Sequence, residues 1–481
     1  LNNQTYTGSV SSNSVTITIS ATDLQALSEG TNTITANVND AAGNAASQSS
    51  TTFTYDKTAP SISSITPSWG SHLNATEDNT DGTVTVVTSG IEDGQTVTLG
   101  LNNQTYTGSV SSNSVTITIS TTDLQALSEG TNTITADVSD VAGNAASQSS
   151  TTFVYDKTSP SISSITLSWG TLLNATEDNN NGTVTVATSG IEDGQTVTLG
   201  LNSRTYTGSV SNNSVSIIIS ATRLQDLIDG TTYTITADVS DVAGNAATQS
   251  STTFTYDKTA PSISSITPSW GSYLNATEDN SSGTVTVITS GVEDGQTLTI
   301  TLNETNYTGS ISSNSVTITI PKNNLQALSE GTNTITANVS DSAGNDASQS
   351  SMSFTYDKSL PSITSITPSW GTHLNSIEDN SSGTITVVTN GVENGQIVTV
   401  VINSINYTGS ISNNSVTITI PVGALQSLND GTTYVITANV SDVAGNAASE
   451  MSTSFVYDIT HPVISSITPS WGSHLNATED N

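Results

Sequence analysis

Four kinds of oxygen-bearing segment return along this 481-residue chain. The first is D-x-A-G-N, at 40–44, 140–144, 241–245, 341–345 and 442–446. The second is E-D-N, which carries Glu77 and Asp78, then Glu177 and Asp178, then Glu278 and Asp279. The third is E-D-G, with Glu92 and Asp93, Glu192 and Asp193, and Asp294; one copy reads GVENG and puts Asn394 in the acid's place. The fourth is Y-D, ending at Asp56, Asp156, Asp257, Asp357 and Asp458. Carboxylate, amide and carbonyl oxygens suit a hard cation, and Ca²⁺ collects about six to eight of them. Without a metal, D-x-A-G-N is also a sound hairpin turn, its Asp accepting backbone amides two residues on. The glycine permits a positive φ and the asparagine tolerates the left-handed region.

Other chemistries fare worse. Glycoside hydrolysis needs two carboxyls facing each other across a cleft, and adjacent residues such as Glu77 and Asp78 on a loop point apart. The histidines are His72, His373, His461 and His474, and the column that holds His72 reads Leu172 and Tyr273 in the following repeats. No nucleophile elbow, zinc-binding helix, phosphate loop or dinucleotide fingerprint is present. The chain has no cysteine, which excludes disulfides and thiolate-ligated metals. Neither a contiguous EF-hand loop nor a glycine-rich calcium nonapeptide occurs. Asn-x-Thr sequons at Asn74–Thr76 and Asn174–Thr176 matter only in a eukaryotic secretory setting.

Charge narrows the partners. With 41 acidic residues against 7 Lys and Arg, the formal net charge is −34. Phosphate backbones are held by Lys and Arg, so nucleic acid is an unsuitable partner, and so is an anionic membrane surface. No apolar run approaches the length of about eighteen residues that marks a membrane span. No charged-then-apolar signal segment opens the chain, and LNNQTYTG reads like the middle of a domain, so the expectation is a fragment of a longer protein.

The elements that must position the oxygens come from an internal repeat. Successive Y-D aspartates fall 100, 101, 100 and 101 residues apart. Both single insertions fall at one place, where GTNTITA (130–136) becomes GTTYTITA (230–237) and GTTYVITA (431–438). The chain divides into a partial repeat (1–57), four whole repeats (58–157, 158–258, 259–358, 359–459) and a partial start (460–481). A hundred-residue period means one small domain per repeat, strung like beads. Within 58–157, Val, Ile and Thr alternate. Strands are expected near 61–66, 83–89, 96–101, 106–110, 115–119, 133–138 and 151–155. The alternation turns Val84, Val86, Val97, Leu99, Leu101, Val115, Ile117, Ile119, Ile134, Ala136, Val138, Phe153 and Tyr155 inward. About seven short strands with turns between them predict an all-β, antiparallel sandwich. A helical turn is expected at 121–127, capped by Thr122 or Asp123. Trp69, Trp169, Trp270, Trp370 and Trp471 recur in SWG and read as core plugs. The TVT and TIT triplets could evoke an ice-binding threonine array, but on twisted strands of separate beads they read as ordinary outward faces.

DKTAPSISSIT, LNATEDN, GIEDGQTVTLGLNNQTYTG and DLQALSEGTNTITADVSDVAGN, taken together, resemble the bacterial Ig-like repeats of very large secreted adhesins, often of the type I-secreted, RTX class. The resemblance spans essentially the whole chain. It implies a seven-stranded Ig-like fold, tandem arrays on the bacterial surface, and calcium that stiffens the junctions between domains.

Strands that run up and down alternate their loops between two poles. E-D-N and the Y-D aspartate then fall at a repeat's downstream pole, and E-D-G and D-x-A-G-N at its upstream pole. Stacked repeats would bring these oxygens together, and a calcium clamp is the expectation. Its candidate ligands are Asp56, Asp93 and Asp140 at the first joint. The second has Glu77, Asp78, Asp156, Asp193, Asp241 and Asn245; the third has Glu177, Asp178, Asp257, Asp294, Asp341 and Asn345. The fourth has Glu278, Asp279, Asp357, Asp442 and Asn446, and there Asn394 should weaken binding through its missing carboxylate.

Two functions of different class follow. One is a spacer, an extended rod of Ig-like beads that holds an adhesive tip away from a bacterial surface or into a biofilm. Residues 1–36 and 101–136 differ at one position, Ala21 against Thr121, as befits units without a private site. Each bead would add ~40 Å, from strands of six or seven residues plus loops. The alternative is a multivalent binding module for a glycan or host protein, with loops at 102–106, 202–206, 303–307 and 403–407 varied enough to allow it. The partners expected are calcium ions and neighbouring repeats of the same chain, in a secreted or cell-surface setting.

Overall fold

The structure, a computed structural model, describes residues 1–474. The remainder of the 460–481 segment lies outside the described residues. The chain forms two compact units. One comprises Leu1–Leu173 and Glu177–Tyr256; the other takes in Asn174–Thr176 and the chain from Asp257 onward.

Repeat 58–157 serves as the pattern. It contains β1 (Ser61–Pro67), β2 (His72–Leu73), β3 (Gly82–Ser89), β4 (Thr96–Leu101), β5 (Gln104–Ser109), β6 (Ser114–Ile119), a short helix α1 (Thr121–Gln125), β7 (Gly130–Asp137) and β8 (Ser149–Tyr155). The strands make two sheets, β1-β3-β6 and β2-β8-β7-β4-β5. Their inner faces enclose one apolar cluster, because side chains alternate across a pleated strand. All the residues named above as inward are buried, and Trp69 joins them, its ring meeting Phe153 edge-on at 5.2 Å. The other whole repeats carry the same two sheets and a cluster each.

Three local features depart from expectation. The two-residue β2 pairs in parallel with the end of β8, His72 with Val154 and Leu73 with Tyr155, in an otherwise antiparallel sandwich. A 3₁₀ turn, Glu77–Asn79, holds the E-D-N triplet. The helix is capped by Ser120, whose hydroxyl accepts from Asp123 N and donates to the Asp123 carboxylate at 2.8 Å. Thr122 and Asp123 lie inside the first turn, past the capping position.

Candidate functional site

The acids lie at the poles where the alternating strands place them, but each is already engaged. Asp78 turns into its own repeat, where it is 5% exposed and its Oδ2 accepts from the Tyr155 hydroxyl at 2.6 Å. Tyr356 bonds Asp279 and Tyr457 bonds Asp379 at 2.6 Å, and Tyr256 bonds Asp178 likewise. Burial, then this bond, pushes the Tyr155, Tyr256 and Tyr356 hydroxyls well above their usual value. For Tyr457 the bond from Asp379 leads and burial adds to it, raising the value to about 12.

Glu77 closes a capping box over the 3₁₀ turn. Its Oε2 accepts from Asn74 N at 3.1 Å while Asn74 Oδ1 accepts from Glu77 N at 3.0 Å. Glu278 repeats the first of these bonds with Asn275 N at 3.1 Å, and Glu177 occupies the same place in its own 3₁₀ turn. Asp93, Asp193 and Asp294 each accept, at 2.7 Å, a backbone amide of their own repeat, from Ser112, Asn212 and Ser313. Asn394 does the same with Asn413 N at 2.8 Å, so the amide keeps the bond that the carboxylates keep elsewhere. The neighbouring glutamates, not these aspartates, reach the D-x-A-G-N turn. Glu92 Oε2 accepts from Val141 N at 3.1 Å, Glu192 from Val242 N at 3.0 Å, and Glu393 from Val443 N at 2.9 Å.

The turn itself is a seat for its asparagine. Asp241 is 4% exposed, and its two oxygens accept from Asn245 N at 2.8 Å and Asn245 Nδ2 at 3.0 Å. Asp140 holds Asn144 in the same way, and that side-chain bond, outweighing burial, keeps its carboxyl below the usual range.

From this seat the amide crosses to the preceding repeat. Asn245 Nδ2 donates to the Asp156 carbonyl at 2.8 Å, and Asn245 Oδ1 accepts from Ala75 N at 3.0 Å. In return, Asn74 Nδ2 donates to the Ala243 carbonyl at 2.8 Å. The second unit repeats the set. Asn446 Nδ2 meets Asp357 O, Asn446 Oδ1 meets Ala276 N, and Asn275 Nδ2 meets Ala444 O, each at 2.9 Å. Asn345 bonds Asp257 O and Ala175 N, also at 2.9 Å, while its seat is Asp341, which is 4% exposed. At the first joint Asn144 Nδ2 reaches Asp56 O at 3.2 Å.

Gly244 has φ +96, and a Cβ there would lie 3.1 Å from Asn74 Nδ2, so the glycine serves both the turn and the close approach. The sequon asparagines Asn74 and Asn174 spend Nδ2 on these joints, the latter on Ala343 O at 2.8 Å.

Carboxylates still crowd the seam. Burial raises the Asp357 carboxyl, and the charges of Asp442, Glu330 and Glu393 add to that against a bond from Ser359 N. No group of three or more His, Cys, Asp or Glu is arranged to hold a metal ion among the described residues. Three residues outside the expected ligand set also act here: Asn74 and Asn275 cross the joint, and Glu129 accepts from Lys157 N at 3.1 Å and ties down the exit of the chain. A recurring Leu-Asn-Ala before E-D-N was the available signal for the first two.

Residues 16–119 and 319–463, together more than half of the chain, match the bacterial Ig-like domain (group 3). The chain belongs to this family. No curated protein matches it. Among solved structures, this bacterial Ig-like chain is similar to a Ca²⁺-stabilized adhesin that helps an Antarctic bacterium reach out and bind ice. That likeness has 24% identity, covers 83% of this chain and 100% of that one, and has a TM-score of 0.34. It is also similar to part of a 1.5-MDa bacterial ice-binding adhesin studied for host cell surface retention, at 25% identity over 62% of this chain and 98% of that one, TM-score 0.35. A tetra-tandem repeat from the extending region of a large adhesion protein is similar at 19% identity over 82% and 99% of the two chains, TM-score 0.32.

Proposed function

We propose that this bacterial Ig-like chain is a spacer segment of a secreted or surface-held bacterial adhesin, adding reach between an anchor and an adhesive tip. The observation that carries the reading is the repetition of one joint chemistry. The same asparagines, carbonyls and amides meet at 74–75 with 243–245 and at 275–276 with 444–446. A spacer asks each unit to mate with the next and asks nothing private of any unit. The reading assigns no catalysis. A hollow of about 290 Å³ beside Thr96, Thr98 and Asp137 is an open groove whose carboxylate is bonded to Gln148 at 2.8 Å. The tryptophans of the whole repeats, Trp69, Trp169, Trp270 and Trp370, are buried, which removes the usual stacking platform of a glycan-binding module.

Calcium belongs to the proposal as a reinforcement of the joints. The residues present fit it in part. Asp357, Glu393 and Asp442 crowd one seam, and a cation would relieve the charge that raises Asp357. Their counterparts Asp156, Glu192 and Asp241 serve in the first unit, together with main-chain carbonyls.

Deleting residues 58–157, one full period, tests the spacer. The maximum dimension from small-angle scattering should fall, and glycan-array binding should stay absent. An unchanged dimension, or selective binding lost on deletion, refutes it. For the metal, added calcium should raise the melting temperature over that in EDTA by linkage; equal melting temperatures remove calcium from the account.

A further inference from the structure

In the D-x-A-G-N turns of Asn245 and Asn446, the side-chain amide has both hydrogens and one lone pair of its oxygen committed to the protein. In Asn245 the Oδ1 accepts from Ala75 N, and the two Nδ2 hydrogens go to the Asp156 carbonyl and to Asp241 Oδ2. An amide offers one carbonyl oxygen and two N–H donors, so this pattern also fixes which way the group points. Asn446 makes the same three bonds, to Ala276 N, Asp357 O and Asp442 Oδ2. Both side chains are almost wholly buried, Asn245 at 5% and Asn446 at 2% exposure. Burial raises the cost of leaving such groups unpaired.

We propose that these asparagines are not calcium ligands but the centre of a metal-independent clasp between successive repeats. The interaction surface has two halves. The downstream half is Asn74, the Ala75 amide and the Asp156 carbonyl; the upstream half is the Asp241–Asn245 turn with its Ala243 carbonyl. The partner that fits either half is the complementary pole of another repeat of this kind. Each half offers both a donor and an acceptor, so the match is directional and admits one register.

The chemistry of the two side chains separates the clasp from a ligand role. Were Asn245 a calcium ligand through Oδ1, aspartate would serve as well or better, because it adds charge. In the clasp, aspartate is damaging. It has no hydrogens for the Asp156 carbonyl, and it faces Asp241 Oδ2 at the 3.0 Å now spanned by an N–H.

The test uses the full chain carrying Asn245→Asp and Asn446→Asp, followed by peptide-resolved amide exchange in EDTA and in calcium. In EDTA the wild-type Ala75 and Ala276 amides should be protected, and in the variant their exchange should rise about tenfold or more, because each asparagine loses one bond across the joint and one to its seat. Core amides such as those of Val197 and Val398 should not change, which shows that the repeats still fold. A second variant, Asn74→Asp, keeps a good capping oxygen for the 3₁₀ turn and removes only the donor to Ala243 O; it should loosen the same joint. Wild-type protection in EDTA for both variants overturns the clasp. So does protection of Ala75 that exists in calcium alone and survives Asn245→Asp. The spacer reading rests on the deletion experiment instead, so either proposal can fail without the other.

Discussion

Replacing Tyr356 with Phe removes one oxygen from the interior of repeat 259–358. The phenol is 1% exposed and donates at 2.6 Å to Asp279, itself 6% exposed. A hydrogen bond to a charged group contributes about 1.5–3 kcal/mol, and its loss leaves a buried carboxylate poorly solvated. Nothing offsets this, since Phe keeps the ring and opens no void larger than the hydroxyl. With a cost of ~2 kcal/mol and about 4–8 °C per kcal/mol for a domain of this size, that repeat should melt ~8–16 °C earlier. Scanning calorimetry of the full chain is the assay, because the other whole repeats keep their pairs and act as internal references. Asp279→Asn should cost less, as the amide oxygen still accepts from the phenol. The effect should also reach the seam. Tyr356 precedes Asp357, whose carbonyl receives Asn446, and Asp279 follows the Asn275 loop, so the pair pins both parts of the downstream surface. A shift under ~2 °C for Tyr356→Phe would show that the bond is energetically idle and refute the reasoning.

Three further outcomes are expected. Gly82→Ala places a Cβ 2.5 Å from Trp69 Cζ3 and 3.2 Å from Leu124 Cδ1, and should cost about 1–3 kcal/mol in chemical denaturation; a loss near zero would mean that the indole moves aside. Tyr457 ionises at about 12 when folded against 10.0 unfolded, so its contribution is complete below pH 10, fades as pH rises, and is gone above about 12. The phenolate absorbance that Tyr457→Phe removes should therefore develop together with unfolding, and its appearance in a folded chain would contradict this. Asn394→Asp should leave both stability and calcium response within ~0.5 kcal/mol of wild type, because either side chain accepts from Asn413 N; a stronger calcium response would return that position to the metal site.

The sandwich was legible because a strand's period of two is written in every Val-Thr-Val run. From Val84 to Tyr155 the expected inward positions are the buried ones. The poles were legible too, since strand count alone fixes where E-D-N and D-x-A-G-N must go. The joint chemistry was harder to read. Charge drew attention to Asp78 and Asp193, yet Asp78 serves Tyr155 and Asp193 serves the Asn212 amide. Its actual contacts join side-chain amides to main-chain atoms about 170 residues away, such as Ala75 N with Asn245, and a main-chain atom leaves no mark in a sequence. The Ser120 cap was missed for a smaller reason: Thr122 and Asp123 are also good capping types, but the helix begins at Thr121 and takes both into its first turn.

Near-identical repeats with interchangeable mating ends have an evolutionary corollary. Unequal crossing-over between such tracts inserts or excises whole units, and each new seam brings together halves that already match. Length can then vary among descendants without any compensating substitution, whereas a seam built from unit-specific side chains would break at the first recombination.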